Sequence, residues 1–195
     1  QSLVAEALRR QLTDLAGSGV RDAAAVVVVN ATGDVLSCVG SAGPASRARE
    51  VDGGAALRQA GSTLKPFLYG LAIERGYLTA ASLLEDSPVH LDTGVGLYVP
   101  QNYDRDFKGT VSARTALASS LNVPAVRVLI LAGVEALRDR LRAFGYRSLD
   151  QPGEHYGYSL ALGSADVSLI DQANAYRALA NGGVLSPVRW RLDEA

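Results

Sequence analysis

A hydroxyl and a primary amine stand three positions apart in Ser62-Thr63-Leu64-Lys65. On a helix that spacing brings both side chains to one face, so the amine can take the proton of the hydroxyl as it attacks a carbonyl carbon. Only a neutral lysine can act in this way. Lowering its pKa from about 10.4 to near 7 takes roughly three pK units, or about 4 kcal/mol of desolvation and like-charge pressure. Leu64, Phe67 and Leu68 are the apolar neighbours that would exclude water. The four residues also have a plainer reading, a serine capping a helix and a lysine lying in solvent. The pair alone does not decide between the two.

A second hydroxyl and an amide stand in Ser120-Leu121-Asn122, at a break between two predicted helices, where both can face a cleft beside Ser62. Ser-x-x-Lys, a Ser-x-Asn element and Lys-Thr-Gly together form the signature of penicillin-binding proteins and class A β-lactamases. The first two occur here in that order. Gly61-Ser62-Thr63-Leu64-Lys65-Pro66-Phe67 and the stretch Arg114 to Val126 resemble the class A bifunctional penicillin-binding proteins. Tyr98-Val99-Pro100-Gln101-Asn102-Tyr103 and Ser159-Leu160-Ala161-Leu162-Gly163 extend the resemblance, which runs from about Val26 to Gly183.

That resemblance implies an α/β (α+β) fold of the penicillin-binding, β-lactamase-like kind, with an antiparallel sheet and a helical part. It implies that Ser62 is the acylated nucleophile, that Lys65 accepts its proton and that Ser120 relays protons to the leaving amine. Asn122 would hold the substrate amide and help position Lys65, and the backbone N–H of Ser62 would give one oxyanion donor. The implied activity is D,D-transpeptidation on D-Ala-D-Ala stem peptides of peptidoglycan, with covalent capture of β-lactams and no cofactor. The implied location is the periplasmic side of the bacterial inner membrane, in a membrane-anchored parent protein with a glycosyltransferase domain upstream.

One departure stands out. No Lys-Thr-Gly or Lys-Ser-Gly follows Asn122, and Lys65 and Lys108 are the only lysines. In the family that strand gives the second oxyanion donor, and losing one such donor typically costs about 2.7 to 4 kcal/mol in barrier. Residues 1–195 therefore read as a partial transpeptidase domain, incomplete at its C-terminal end. Truncation or cleavage is the expected cause, and a second fragment carrying the missing strands is the partner this predicts.

The elements that must position these residues can be read from periodicity. Leu8, Leu12 and Leu15 make an apolar stripe for a first helix ended by Gly17 and Gly19. Val26–Val29, a turn over Asn30–Asp34 and Val35–Val39 predict a hairpin with a buried first strand. Ser41 to Ala60 reads as a surface connection. Helices are predicted over Ser62–Arg75, with Pro66 in the first turn and Gly76 past the end, and briefly over Thr79–Leu84. Pro88–Tyr103 reads as extended or looped. Three more helices follow over Ser112–Ser119, Pro124–Leu131 and Val134–Phe144, then one over Ala165–Ala180 with Ser164 as N-cap, and Val184–Leu192 begins a strand. No linker interrupts the chain, so a single α/β unit is expected.

Composition narrows the function further. With 48% hydrophobic residues the chain can build a sizeable core, and its formal charge of −1 gives no field for nucleic acid. Cys38 is the sole cysteine, which excludes internal disulfides and cysteine-rich metal sites. His90 and His155 lack a nucleophile elbow or metal-ligand spacing and read as surface residues, so no metal is predicted. Gly53-Gly54 and Gly94-Val95-Gly96 lack the rest of a nucleotide-binding loop. Asp104, Arg105, Asp106 and Lys108 could rim a groove but read more simply as a solvated loop. Two rivals remain: a β-lactamase-like hydrolase, for which no deacylating carboxylate can be placed, and a non-catalytic β-lactam-binding module.

Overall fold

The β-branched run at the start of the chain and the Asn30–Asp34 turn do fold as a hairpin. In a computed structural model, which describes residues 1–43, 46, 48–94 and 96–190, the main elements are α1 (Ser2–Asp14), β1 (Ala25–Val28), β2 (Val35–Val39), α2 (Lys65–Glu74), β3 (Leu83–Asp86), β4 (Leu91–Asp92) and β5 (Leu97–Tyr98). β6 (Gly109–Ser112), α3 (Ala113–Ala118), α4 (Asn122–Ala132), α5 (Val134–Ala143), α6 (Gly153–Tyr156) and α7 (Leu169–Ala180) complete the order. The chain divides into two compact units that interleave in sequence, one of residues 1–58, 142–148 and 166 onward, the other of 59–141 and 149–165. The expected single unit is thus two, and no linker announces them because the chain enters each more than once.

In the first unit β1 and β2 pair antiparallel from Ala25↔Val39, with a bulge between Val27 and Val28. β1 is half-buried where a buried strand was expected. It packs one face against α7 and leaves Val27 39% exposed, as a two-stranded antiparallel ladder does when only one face is covered. α7 starts at Leu169, because Ser168 is extended and its Oγ accepts the N–H of Asp171 at 3.1 Å. The predicted cap Ser164 instead shares a hydrogen bond with Ser159. Of the expected strand over 184–192, Arg189 bridges to Asp34, and residues 191–192 lie outside the described residues, as does Val95 of the second glycine stretch.

In the second unit β3 pairs antiparallel with β6 from Leu83↔Ser112 to Asp86↔Gly109. This overturns the short helix expected over Thr79–Leu84. Thr79 and Ser82 close a tight turn on each other, the Thr79 N–H reaching Ser82 Oγ at 2.8 Å, and the ladder takes the residues that follow. Pro88–Tyr103 holds a minimal hairpin of β4 and β5. α2 is apolar nearly all round, and a helix of that kind has to be covered on several sides. It packs on α3, α4 and the 3-10 turn Gly157–Leu162, burying Leu68, Leu71 and Ala72 beside Val123, Val126 and Leu129 of α4. Each buried leucine or valine among these contributes about 1.5 to 3 kcal/mol.

The first unit has its own polar anchor. Arg177 of α7 is 5% exposed. It donates to the Asn30 carbonyl at 2.9 Å, the Ser186 carbonyl at 3.0 Å and Ser186 Oγ at 2.8 Å, tying the hairpin turn and the segment after α7 to the helix. Arg177→Met should cost about 2 kcal/mol by removing the charged donor that links the Asn30 and Ser186 carbonyls, and Arg177→Lys should recover only part of this because an ammonium lacks the guanidinium fork. The urea unfolding midpoints of the two variants check it.

Candidate active site

Gly61 has a left-handed φ of 59°, which turns the chain into a 3-10 turn over Gly61–Leu64. α2 follows at Lys65, with Pro66 in its first turn where no N–H is needed. Ser62 is therefore not the helix cap that the sequence suggested. It sits in the tighter turn ahead of the helix, exposed, and its hydroxyl makes no hydrogen bond to the described residues. Lys65 is the opposite, with 1% of its surface exposed, flanked by Leu64, Phe67 and Leu68 at 2% or less.

The buried amine is met by the second cluster. Lys65 Nζ donates to the Ser120 carbonyl at 2.6 Å, to Ser120 Oγ at 3.1 Å and to Asn122 Oδ1 at 2.8 Å. An ammonium has three protons, and three oxygens receive them. Loss of solvation pushes the Lys65 pKa from 10.5 down to about 8, because the interior disfavours its charged form. The lysine is neither solvent-facing nor paired with a carboxylate.

Backbone geometry places those oxygens. α3 starts at the Ser112 cap, as expected, and ends when the Leu121 N–H bonds to the Ala116 carbonyl and the Ser120 N–H to the Leu117 carbonyl. That double closure puts Ser120 in the left-handed position normally given to glycine, with φ 53°. A serine there costs about 1 to 2 kcal/mol. It turns the Ser120 carbonyl and hydroxyl toward Lys65 together, which glycine could not do for the hydroxyl. Asn122, the first residue of α4, donates through Nδ2 to the Gln101 carbonyl at 2.9 Å. With the nitrogen so engaged, Oδ1 is the atom turned to the lysine.

The four sequence-predicted residues Ser62, Lys65, Ser120 and Asn122 all lie in the second unit, and the last three are directly bonded. Two contributors were quoted for resemblance but given no role. The Gly61 N–H bonds to the Gly163 carbonyl at 2.9 Å, and a Cβ on Gly163 would fall 1.8 Å from the Gly61 oxygen. Gln101 acts through its backbone, which no side-chain pattern reveals. A cavity of about 220 Å³ beside Ser120 is lined by Asn102, Tyr103, Asp104, Ser119 and Leu121. Asp104 and Asp106 both pair with Lys108 at 2.8 Å on the exposed loop. Tyr98 stacks with Tyr158, ring centroids 6.3 Å apart, and His90 and His155 are exposed.

Comparison with known proteins gives the same direction. The family model described as the penicillin binding protein transpeptidase domain matches residues 23–191. The chain is 38% identical over 195 residues to penicillin-binding protein 1C of Escherichia coli, covering 96% of the chain and 25% of that protein. It is 37% identical over 132 residues to penicillin-binding protein 1A of Neisseria meningitidis, covering 66% of the chain and 16% of that protein. Among solved structures, penicillin-binding protein 1A from Haemophilus influenzae aligns with TM-score 0.76 and 32% identity, over 85% of this chain and 24% of that one. The PonA1 protein from Mycobacterium tuberculosis in complex with penicillin V aligns with TM-score 0.75 and 27% identity, over 94% and 49%. The chain thus spans a quarter or less of the two sequence relatives.

Substitutions at two positions test the backbone reading. Ser120→Gly should be more stable than Ser120→Ala by about 1 kcal/mol, since both lose the Oγ that accepts from Lys65 and only glycine releases the left-handed strain. Gly163→Ala should lower stability by about 3 kcal/mol, since the methyl group meets the Gly61 backbone in a conformation unsuited to a side chain. Urea denaturation of these variants measures both differences.

Proposed function

Because the chain belongs to the penicillin-binding protein transpeptidase domain family, we propose that it forms part of a peptidoglycan D,D-transpeptidase in which Ser62 is the nucleophile. The observation that carries this reading is the dry Lys65 amine, bonded to Ser120 and Asn122 and one turn from an exposed serine. With a pKa of about 8, about one lysine in ten is neutral at pH 7. A neutral amine keeps two protons for the Ser120 carbonyl and Asn122 Oδ1, which can only accept, and has a lone pair for a hydroxyl proton.

The reaction balances without a cofactor. Ser62 Oγ attacks the carbonyl of the D-Ala-D-Ala peptide bond while its proton passes to Lys65 Nζ. The C–N bond then breaks, and the departing D-Ala amine takes a proton relayed through the Ser120 hydroxyl, which can both donate and accept. The amine of a neighbouring stem peptide attacks the ester, its proton returns through the same groups, and Ser62 is restored. The Ser62 N–H lies in the first turn of a helical segment, where backbone donors lack intrahelical partners, and suits a developing oxyanion. The second Nδ2 proton of Asn122, beside the one given to the Gln101 carbonyl, would hold a substrate carbonyl.

A β-lactam carries a carbonyl in the same relation and would acylate Ser62 and remain there. Stem peptides and β-lactams are the partners this reading assigns. The periplasmic face of the inner membrane is where such substrates are found, in a membrane-anchored parent protein. No helix among the described residues is long and apolar enough to cross a membrane.

Intact-mass spectrometry after incubation with a fluorescent penicillin, on the protein at its natural length, should show one stable adduct that Ser62→Ala abolishes. The acylation rate should rise with pH through about 8, where Lys65 loses its proton, and fall about tenfold per unit well below it. Rapid hydrolysis of the drug would favour a lactamase instead. Absence of any Ser62 adduct would leave a non-catalytic module.

A further inference from the structure

We propose that Asn102, oriented by the buried carboxylate of Asp86, is a positioning residue that fixes Asn122 and through it the Lys65 amine. This rests on the acyl-transfer reading above and adds to it a part played by residues that act through Asn122.

α4 begins without a cap of its own, because the residue before it is Leu121. The first backbone N–H groups of a helix need an acceptor. Asn102, far upstream, supplies it: its Oδ1 accepts the N–H of Asn122 at 2.8 Å and that of Val123 at 3.3 Å. Its Nδ2 donates to both oxygens of Asp86, at 2.8 and 2.9 Å, and to the Asp106 carbonyl at 2.9 Å. An ionised carboxylate only accepts. Asp86 therefore forces the nitrogen of the Asn102 amide toward itself and the oxygen toward the helix.

Both groups are sealed from water, Asp86 at 0% and Asn102 at 4% exposure. Asp86 is anchored at the end of β3, opposite Gly109, and also accepts the Lys108 N–H at 2.9 Å. Among the described residues it forms no salt bridge. Burying a carboxylate against neutral donors alone is expensive, and a simple core position would be filled by an aliphatic residue. The arrangement is accounted for if amide orientation is what matters. Gln101 and Asn102 then grip Asn122 twice, by its side-chain nitrogen and by its backbone N–H, leaving Oδ1 fixed on Lys65 at 2.8 Å.

Asn122 Oδ1 stabilises the ammonium form of Lys65 more than the amine. Loosening it should lower the pH at which Lys65 deprotonates as well as the rate. The other ionisable groups on α2 and the elements packed against it are Tyr69, Glu74, Arg114, Arg127 and Tyr158. None bonds to Nζ, and desolvation is the cause of its shift.

The test is acylation of Ser62 by a fluorescent penicillin across pH 6 to 10 in Asn102→Ala, with amide hydrogen exchange at Asn122 and Val123. We expect acylation about tenfold slower, a pH midpoint lower by about half a unit, and faster exchange at both amides. Should Asn102→Ala fail to fold, Asp86→Asn reads the same quantities, since it keeps the Asn102 side chain and turns one of the two oxygens that orient it into a donor. A folded variant with wild-type rate and midpoint overturns the proposal, because a merely structural role leaves the midpoint in place. If the wild type shows no Ser62 adduct, the transpeptidase reading fails instead, and unchanged exchange at Asn122 and Val123 would then overturn the positioning claim separately.

Discussion

A lysine amine held out of water by α2 and satisfied by three oxygens is the constraint on which the rest of the second unit depends. It fits the way α2 keeps Lys65 on its covered side with Leu68 and Ala72, while Gly70, Ile73 and Glu74 face solvent. The cost can be placed. A pKa brought from 10.5 to about 8 corresponds to about 3 kcal/mol against the folded state. The folded pKa is the lower one, so this penalty is full below pH about 8, where both states hold the proton, and disappears as pH rises through 10.5. At neutral pH the fold therefore carries a cost that the proposed role of Lys65 as a base would account for.

A second cost falls at Ser120, and it has the same sense. Glycine is the residue that the closing turn of α3 favours, yet serine occupies it at φ 53°. Gly163 shows the reverse choice, a residue kept minimal so that its backbone can lie against Gly61 and brace the turn that carries Ser62. Strain is accepted where a hydroxyl is needed and avoided where only approach is needed. Sites that trade stability for geometry commonly look like this.

Much of this was legible in the sequence, and the parts that were not share a cause. Ser62, Lys65, Ser120 and Asn122 could be paired because short motifs report local spacing. The caps at Ser112 and the breaks at Gly76 and Gly145 were readable for the same reason. Two boundaries were misjudged where local signals competed. Ser164 and Ser168 both precede an apolar run, and only Ser168 has the acidic Asp171 three residues on. Thr79–Leu84 has helical composition, but pairing of β3 with β6 overrides it. The grip of Gln101 and Asn102 on α4, and of Gly163 on Gly61, joins segments far apart in the chain through backbone atoms. One sequence carries no periodicity for contacts of that kind.

The remaining difficulty for such a site is that its two central groups need opposite surroundings. In the proposed reaction the nucleophile has to meet a substrate, and the base has to stay dry. A regular α-helix over Ser62–Lys65 would offset the two by its 3.6-residue turn. A 3-10 turn has three residues per turn and eclipses positions i and i+3, and the Lys65 N–H closes the observed turn over Gly61–Leu64 on the Ser62 carbonyl. Passing from that turn to an α-helix at Lys65 then carries the chain inward within a few residues. The change of helix type between the two side chains, with Gly61 able to start it and Pro66 able to follow it, puts an exposed hydroxyl and a buried amine three residues apart in the chain.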